Sequence, residues 1–336
     1  MTSKPKIAVT MGDPAGIGPE ICIKALLRPE AAALCTSVVF GDLDWMRRNA
    51  ERLEIGGVSV GIASESAERQ PGSIAVRQTV DADLSKLRPG DLSAEAGKAA
   101  AQCVIAAAEA AMSGEFDAIV TAPLNKESMA MGGFPYPGHT ELLAEITQTA
   151  RYGMLLLSGN LRVVHVSTHV SLREAIDRVR TARILECIRL GHRACRDLGI
   201  ESPRIAVAGL NPHAGEHGMF GSEEVDEIAP AIAAARAESI DATGPHPPDT
   251  VFARTAAGEF DLVVAMYHDQ GHIPVKLHGF DTGVNVTIGL PIIRVSVDHG
   301  TAFDIAGKGI AREESMLEAI RVAAQLVSSR QSAAIN

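Results

Sequence analysis

Short β-branched or wholly apolar runs recur along this chain, each followed by a longer Ala/Leu/Glu-rich stretch, and that alternation restricts the fold more than any other feature. Lys6–Thr10 (KIAVT), Val38–Gly41, Ala118–Ala122, Met154–Leu157, Val163–Ser167, Arg204–Ala208, Leu262–Met266 and Val284–Gly289 read as strands, several of them apolar on both faces as buried strands are. The clearest helix starts at Ser93 as N-cap, has Glu95 in its first turn and runs to Met112 before Gly114. Further helices are expected over Pro19–Leu27, Asp44–Arg52, Ser171–Asp177, Ala182–Arg196, Val225–Ala237 and Glu313–Ser329. The pattern predicts an α/β architecture with a largely parallel sheet covered on both faces. With 336 residues the chain is long enough for about two domains. No repeat or Gly/Ser linker separates them; the Gly/Pro-dense segments Met131–Gly138 and Asp241–Asp249 are candidate hinges or site loops.

The net charge of −10 opposes phosphate-backbone binding, and aromatics at 4 % leave few stacking platforms, so nucleic acid is excluded as a partner class. The five cysteines at 22, 35, 103, 187 and 195 are scattered and form no CxxC pair, which argues against a disulfide framework or a thiolate zinc site. The N-terminus enters a strand-like run with no signal-peptide core, and no window approaches the ~20 apolar residues of a membrane span. The expectation is a cytoplasmic protein without a membrane partner.

Several strings bear chemistry at strand ends, where open α/β sheets gather ligands. MGDPAGIGPE (11–20) follows a strand and opens a helix, but its spacing is neither GxGxxG nor GxxxxGK, so it reads equally as a structural turn or a binding loop. In TAPLNKE (121–127), Lys126 could hold an anion oriented by Asn125; alternatively Asn125 caps a helix and Lys126 is solvated. His139 and Thr140 follow a Pro-Gly turn as a donor pair suited to an oxyanion. Lys276 and Arg294 flank Asn285, and this basic pair in an acidic chain suits a doubly anionic small molecule or, equally, surface salt bridges. The glycine-framed string DHGTAFDIAGKGIA (298–311) reads as a backbone-rich loop at a sheet edge.

Histidine is the crowded residue type: 11 in all, seven of them between His213 and His299. His169, His213 and His268 each fall just beyond a separate strand, so three imidazoles could converge on one divalent metal with positions left for substrate. A lone histidine at any of these places would be read as a hydrogen-bonded structural residue; the repeated placement favours a metal. His268 and His272 have the i, i+4 spacing of HExxH, but Gly271 disfavours a helix there and the second position lacks the glutamate base.

Taken together, MGDPAGIGPE, TAPLNKE, GHTE, THVSL, GLNPHAGE, YHDQG and SVDHGTA, in that order, resemble the 4-hydroxythreonine-4-phosphate dehydrogenase family from Ile7 to the C-terminal helix. The resemblance implies an isocitrate/isopropylmalate dehydrogenase-like fold, two α/β domains with a cleft between them, and a homodimer with the active site at the subunit interface. The division expected on that basis is 1–135 plus 300–336 as the cofactor-side domain and 136–299 as the substrate, metal and dimerisation domain. By position, the family's metal ligands fall on His169, His213 and His268, and its substrate contacts on His139, Thr140, Lys276, Asn285 and Arg294. NAD, with NADP as an alternative, would be bound by the loop holding Asp298, Gly300, Thr301, Asp304 and Gly307. The implied chemistry is oxidative decarboxylation assisted by a zinc, magnesium or cobalt ion, with Asp249 and Asp269 as candidate general bases.

Two strings depart from the family's usual pyridoxine-pathway pattern. HIPVK (272–276) stands where LPVLK is usual, and GPHPPDT (244–250) where GPLPADT is usual, placing His272 and His246 at leucine positions. Both resemble the branch that oxidises 4-phospho-D-threonate or 4-phospho-D-erythronate to dihydroxyacetone phosphate and CO2. The expected substrates are therefore 4-phosphohydroxy-L-threonine, in pyridoxal phosphate biosynthesis, or those acid-sugar phosphates. Diol dehydrogenases of aromatic catabolism are a minor alternative. A non-catalytic metal-dependent sensor of phosphorylated acids would lose the 298–309 loop, and a metal-dependent hydrolase or aldolase would ignore NAD.

Overall fold

The computed structural model describes residues 4–63, 72–279 and 281–335. In it β1 (Lys6–Thr10) leads into α1 (Gly18–Leu27), α2 (Pro29–Leu34), β2 (Thr36–Gly41), α3 (Leu43–Arg52), β3 (Ser59–Ile62), β4 (Ser73–Gln78) and α4 (Ala94–Met112). Next come β5 (Ala118–Thr121), α5 (Lys126–Met131), α6 (His139–Ile146), β6 (Gly153–Ser158), β7 (Leu161–His165), α7 (Leu172–Asp177), α8 (Thr181–Asp197) and β8 (Ile205–Ala208). A π-helical turn at Glu224–Ile228 precedes α9 (Ala229–Ala237), β9 (Ala242–His246), α10 (Val251–Ala256), β10 (Leu262–Ala265), α11 (His268–His278) and β11 (Val284–Ile288). β12 (Ile293–Val297) and α12 (Glu314–Ile335) end the chain. Side-chain caps set several starts: Asp42 accepts the Trp45 N–H at 2.7 Å, Ser93 that of Ala96 at 3.2 Å, and Asn125 that of Ser128 at 2.9 Å.

The chain divides into two compact units, one comprising the residues up to Ala150 and those from Leu290 onward, the other Arg151–Gly289. The cuts differ from the expected 135/136 and 299/300 because α6 packs with α4 and β12 pairs with β5, which draws both into the first unit. Strand order in the first unit is β3-β4-β2-β1-β5-β12, every pair parallel. Phe40, Val104, Ile119 and Leu143 are among its buried apolar residues. In the second unit the order is β11-β6-β7-β10-β8-β9; β6 runs antiparallel to both its neighbours and the remaining pairs are parallel. Leu156, Val163, Phe252 and Val263 lie in its core. Parallel pairing matters for function because it puts the C-terminal ends of β1, β5 and β12 side by side, and likewise those of β7 and β10.

One sequence expectation is corrected. Residues 268–278 form a helix, α11, although Gly271 and Pro274 lie inside it. Packing against β7 overrides the weak propensity: a Cβ on Gly271 would sit 2.3 Å from Nε2 of His165, so only glycine lets the helix approach that strand. All five cysteines are free and buried. No helix among the described residues is long and apolar enough to cross a membrane.

Candidate active site

In the second unit, register aligns Val163, Val164 and His165 of β7 with Val263, Val264 and Ala265 of β10. The loops beyond these two strand ends bring His169 and His268 together, their ring centroids 5.8 Å apart and tilted by 45°. Asp269 Oδ1 lies 2.6 Å from His268 Nδ1, a carboxylate contact that fixes the ring and leaves Nε2 to face a ligand. On its other side His268 stacks on His272, centroids 3.6 Å apart, and His272 in turn meets the buried ring of His165 at 4.7 Å. Burial, and then the neighbouring His268, hold the His272 imidazole down to about 4; burial keeps His165 well below its ordinary value. His272 and His165 are thus packed as neutral rings. An open hollow of about 450 Å³ is lined by Thr168–Leu172, Ala175 and Tyr267–Asp269.

His213 stands on a separate left-handed turn in Pro212–Gly218. Two imidazoles at the His169–His268 spacing fit one divalent ion, yet among the described residues no three His, Cys, Asp or Glu side chains assemble around one point. The chain by itself therefore brings together two of the three expected ligands. Asn285 lies on β11 with a buried Oδ1 that has no hydrogen-bond partner, and Lys276 is exposed on α11. Asp249 lies exposed in the turn before α10, outside the residues lining the hollow. His246 packs on Phe260 at 5.0 Å, with Nε2 2.9 Å from the Thr243 hydroxyl, so one of its ring nitrogens is already engaged within the unit.

In the first unit, Arg294 of β12 is only 2 % exposed. Its Nε and Nη2 donate to the Thr121 hydroxyl at 3.2 and 2.8 Å, at the C-terminal end of β5. Burial lowers the guanidinium to about 9, partly offset by Glu141 on α6, so it still carries its charge at neutral pH. His139 opens α6; burial, and then Arg294, keep its ring well below the ordinary value, and its buried Nε2 has no hydrogen-bond partner. Thr140 follows it in a helix whose N-cap, Gly138, offers no side-chain acceptor. Between the two readings of TAPLNKE, the structure shows Asn125 as a helix cap and Lys126 exposed.

The glycine-rich strings at 11–20 and 298–311 meet in this unit: the Ile17 N–H donates to the Thr301 carbonyl at 3.0 Å, and Ala302 and Gly307 take left-handed conformations. Beside Thr301, Gly300 has open space where a Cβ would stand, and the buried Nε2 of His299 has no hydrogen-bond partner. An open backbone edge next to an unsatisfied imidazole nitrogen fits a loop that accepts a polar cofactor.

Asp13, in the first of these strings, is fully buried; Oδ1 accepts the Ala15 N–H at 2.9 Å and Oδ2 has no hydrogen-bond partner. Desolvation raises its carboxyl to about 6. For an acid whose folded value lies above its unfolded one, the native state holds the proton longer, so stability is full below about 4 and falls as pH rises to 6. Asp13→Asn removes that loss and is expected to stabilise the protein at pH 7 by up to ~3 kcal/mol. Urea melts at pH 4 and 7 check this; an equal effect at both would mean that Asp13 does not titrate in this range.

Thr121 and His165 stand in the sequence only as parts of longer strings, and Glu224 belongs to none of them. A hydroxyl or imidazole closing an apolar strand was the available signal for Thr121 and His165; nothing local marked Glu224.

Residues 33–323 match the family model described as pyridoxal phosphate biosynthetic protein PdxA. The chain is 49 % identical over 322 residues to the D-threonate 4-phosphate dehydrogenase of Pectobacterium atrosepticum, covering 95 % of this chain and 98 % of that one. It is also 49 % identical over 323 residues to the 4-hydroxythreonine-4-phosphate dehydrogenase of Beijerinckia indica, covering 95 % and 94 %. The crystal structure of 4-hydroxythreonine-4-phosphate dehydrogenase from Klebsiella pneumoniae superposes with a TM-score of 0.88 at 49 % identity, covering 97 % of this chain and all of that one.

Proposed function

The chain belongs to the PdxA family of dehydrogenases, and from that premise we propose that it oxidises the C3 hydroxyl of a 4-phosphorylated four-carbon hydroxy acid with a nicotinamide cofactor. Hydride passes from C3 to the cofactor and the hydroxyl proton is released. The resulting ketone is β to the carboxylate, so the C1–C2 bond can break to give CO2, its electron pair remaining as an enolate that is then protonated.

The observation carrying this reading is Arg294: a buried, charged guanidinium on a strand, bonded to a hydroxyl, is a costly arrangement suited to an anionic ligand. His139 and Thr140 adjoin it on α6 as further polar contacts for the phosphate or carboxylate, and Lys276 and Asn285 are assigned to substrate in the second unit. His169 and His268 are proposed to hold a divalent ion, with His213 as third ligand. All-imidazole ligation favours zinc or cobalt over magnesium. What the ion supplies when bound is Lewis acidity towards the substrate hydroxyl. Asp269, placed on His268, orients that ring rather than acting as general base. The loop holding Asp298, Gly300, Thr301, Asp304 and Gly307 is proposed to bind NAD, with NADP as the alternative.

Because the three histidines do not assemble within one chain, the protein is proposed to act as a homodimer in which a second copy supplies His213. Exposed apolar side chains in the same unit, Leu172 beside His169 and Ile273 and Leu277 on α11, provide a surface for that contact.

Of the two substrate readings, 4-phospho-D-threonate is favoured by His272, which stands at the position usually leucine in pyridoxine-pathway members and stacks directly on His268. The equally similar Beijerinckia enzyme supports 4-phosphohydroxy-L-threonine as the second reading. Incubation with NAD, zinc and each of 4-phospho-D-threonate, 4-phospho-D-erythronate and 4-phosphohydroxy-L-threonine separates them. Reduced nicotinamide together with dihydroxyacetone phosphate from the first substrate is expected. Turnover of the amino acid alone would overturn the acid-sugar reading, and no reduced cofactor with any substrate, at full metal loading, would remove the proposed reaction.

A further inference from the structure

Glu224, the first residue of the π-helical turn in the second unit, is 2 % exposed. Its Oε1 accepts the backbone N–H groups of Leu210 and Asn211, both at 2.7 Å, and its Oε2 accepts Asn211 Nδ2 at 2.9 Å. That same Nδ2 donates to Oε2 of Glu223 at 2.7 Å. These contacts grip the entrance to an unusual segment: His213, Ala214, Gly215, Glu216 and His217 have φ of 53, 56, 76, 43 and 58°, five consecutive residues in the left-handed region. That region is unfavourable for every one of them that carries a Cβ, so the run persists only if its surroundings impose it. Closest to the carboxylate is Gly215, where a Cβ would stand 2.6 Å from Glu224 Oε2; side chain and turn are fitted to each other at that point.

We infer that Glu224 is a positioning residue for His213: its carboxylate holds the left-handed turn that sets where the imidazole points. This rests on the reading of His213 as a metal ligand. Released from Glu224, residues 213–217 would relax towards right-handed backbone values and turn the ring away. Affinity for the ion then falls although no ligand has been removed, as it does when outer partners of metal-binding side chains are lost.

Three variants of the full chain test this. Glu224→Ala removes the clamp. Glu224→Gln keeps one oxygen for the two backbone N–H groups but turns an amide donor towards Asn211 Nδ2, or the reverse. His213→Ala removes the proposed ligand itself. Zinc affinity is read by competition with a chromogenic chelator, NAD affinity serves as the control, and amide hydrogen exchange is followed over residues 209–218. Glu224→Ala is expected to weaken zinc binding on the order of 10–100-fold and Glu224→Gln by less. Exchange at Leu210 and Asn211 should quicken, NAD affinity should hold, and activity should return at high zinc. If His213→Ala weakens zinc binding while neither Glu224 variant does, the inference fails and the ligand reading stands. If His213→Ala leaves zinc binding unchanged, both fail. Should Glu224→Ala not fold, Glu224→Gln decides alone, and unaltered affinity in it overturns the inference.

Discussion

Arg294→Met is expected to lower kcat/KM for the phosphorylated acid about a thousandfold while making the folded protein more stable at pH 7. The two effects share one cause. Burial drags the guanidinium down to about 9, yet at neutral pH it remains charged. A base whose folded value lies below its unfolded one costs stability wherever it is charged in both states, here throughout the range below about 9, and that cost is relieved as pH rises above it. Methionine has similar reach without the charge, so it removes the cost, on the order of a few kcal/mol. An anionic substrate offsets the same cost in the complex of the natural protein. Removing one partner from such a desolvated pair typically costs ~3–5 kcal/mol, which is the thousandfold at its midpoint. Thermal melts and steady-state kinetics with saturating NAD give both numbers. A loss below tenfold would show that Arg294 does not meet the substrate, and a fall in melting temperature would show that it is chiefly structural. Arg294→Lys, which keeps charge but loses the planar fork, should sit between the two.

Arg294 also shows where sequence reading succeeded and where it stopped. The residue stands out as a cation in an acidic chain, but IRVSV does not read as a strand because arginine and serine interrupt its apolar run. Pairing of β12 with β5 and burial on both faces decide it instead, and both are tertiary facts. Strands with uninterrupted apolar runs, such as AIVT and LVVA, and helices with explicit caps, such as α4 behind Ser93, were legible because the signal is local. β3, an exposed edge, and β9, inside a Gly/Pro-rich segment, were not. The helix at His268 runs against the propensity of Gly271 because β7 packs where only glycine fits, a fact no local pattern carries. For the site, spacing identified imidazoles that lie beyond neighbouring strands, and His169 and His268 do meet. It could not indicate that His213 lies on a left-handed turn, since that geometry depends on Glu224, thirteen residues past Asn211 in contact but invisible to any periodicity.

His268→Ala and His213→Ala are each expected to abolish turnover, and the two inactive proteins mixed under exchange conditions should regain activity. If His169 and His268 of one copy share an ion with His213 of another, the two sites of a mixed dimer are unequal. One combines both defects and is dead. The other takes His268 from the His213→Ala chain and His213 from the His268→Ala chain, and is intact. Random exchange puts half the chains in mixed dimers with one working site in each, so recovery should approach about a quarter of the natural activity for a two-fold dimer. Ligands contributed entirely by one chain would give no recovery, because every site would then lack one imidazole. Loss of activity on losing either ligand follows from the several kcal/mol by which a Lewis acid would lower the barrier for hydroxyl oxidation. The mixture therefore separates two questions that single variants cannot: whether these histidines serve one ion, and whether that ion is shared between copies. Zinc content measured on each variant fixes the first, recovery of reduced nicotinamide fixes the second, and sedimentation at the same concentration must show a dimer for any recovery to count.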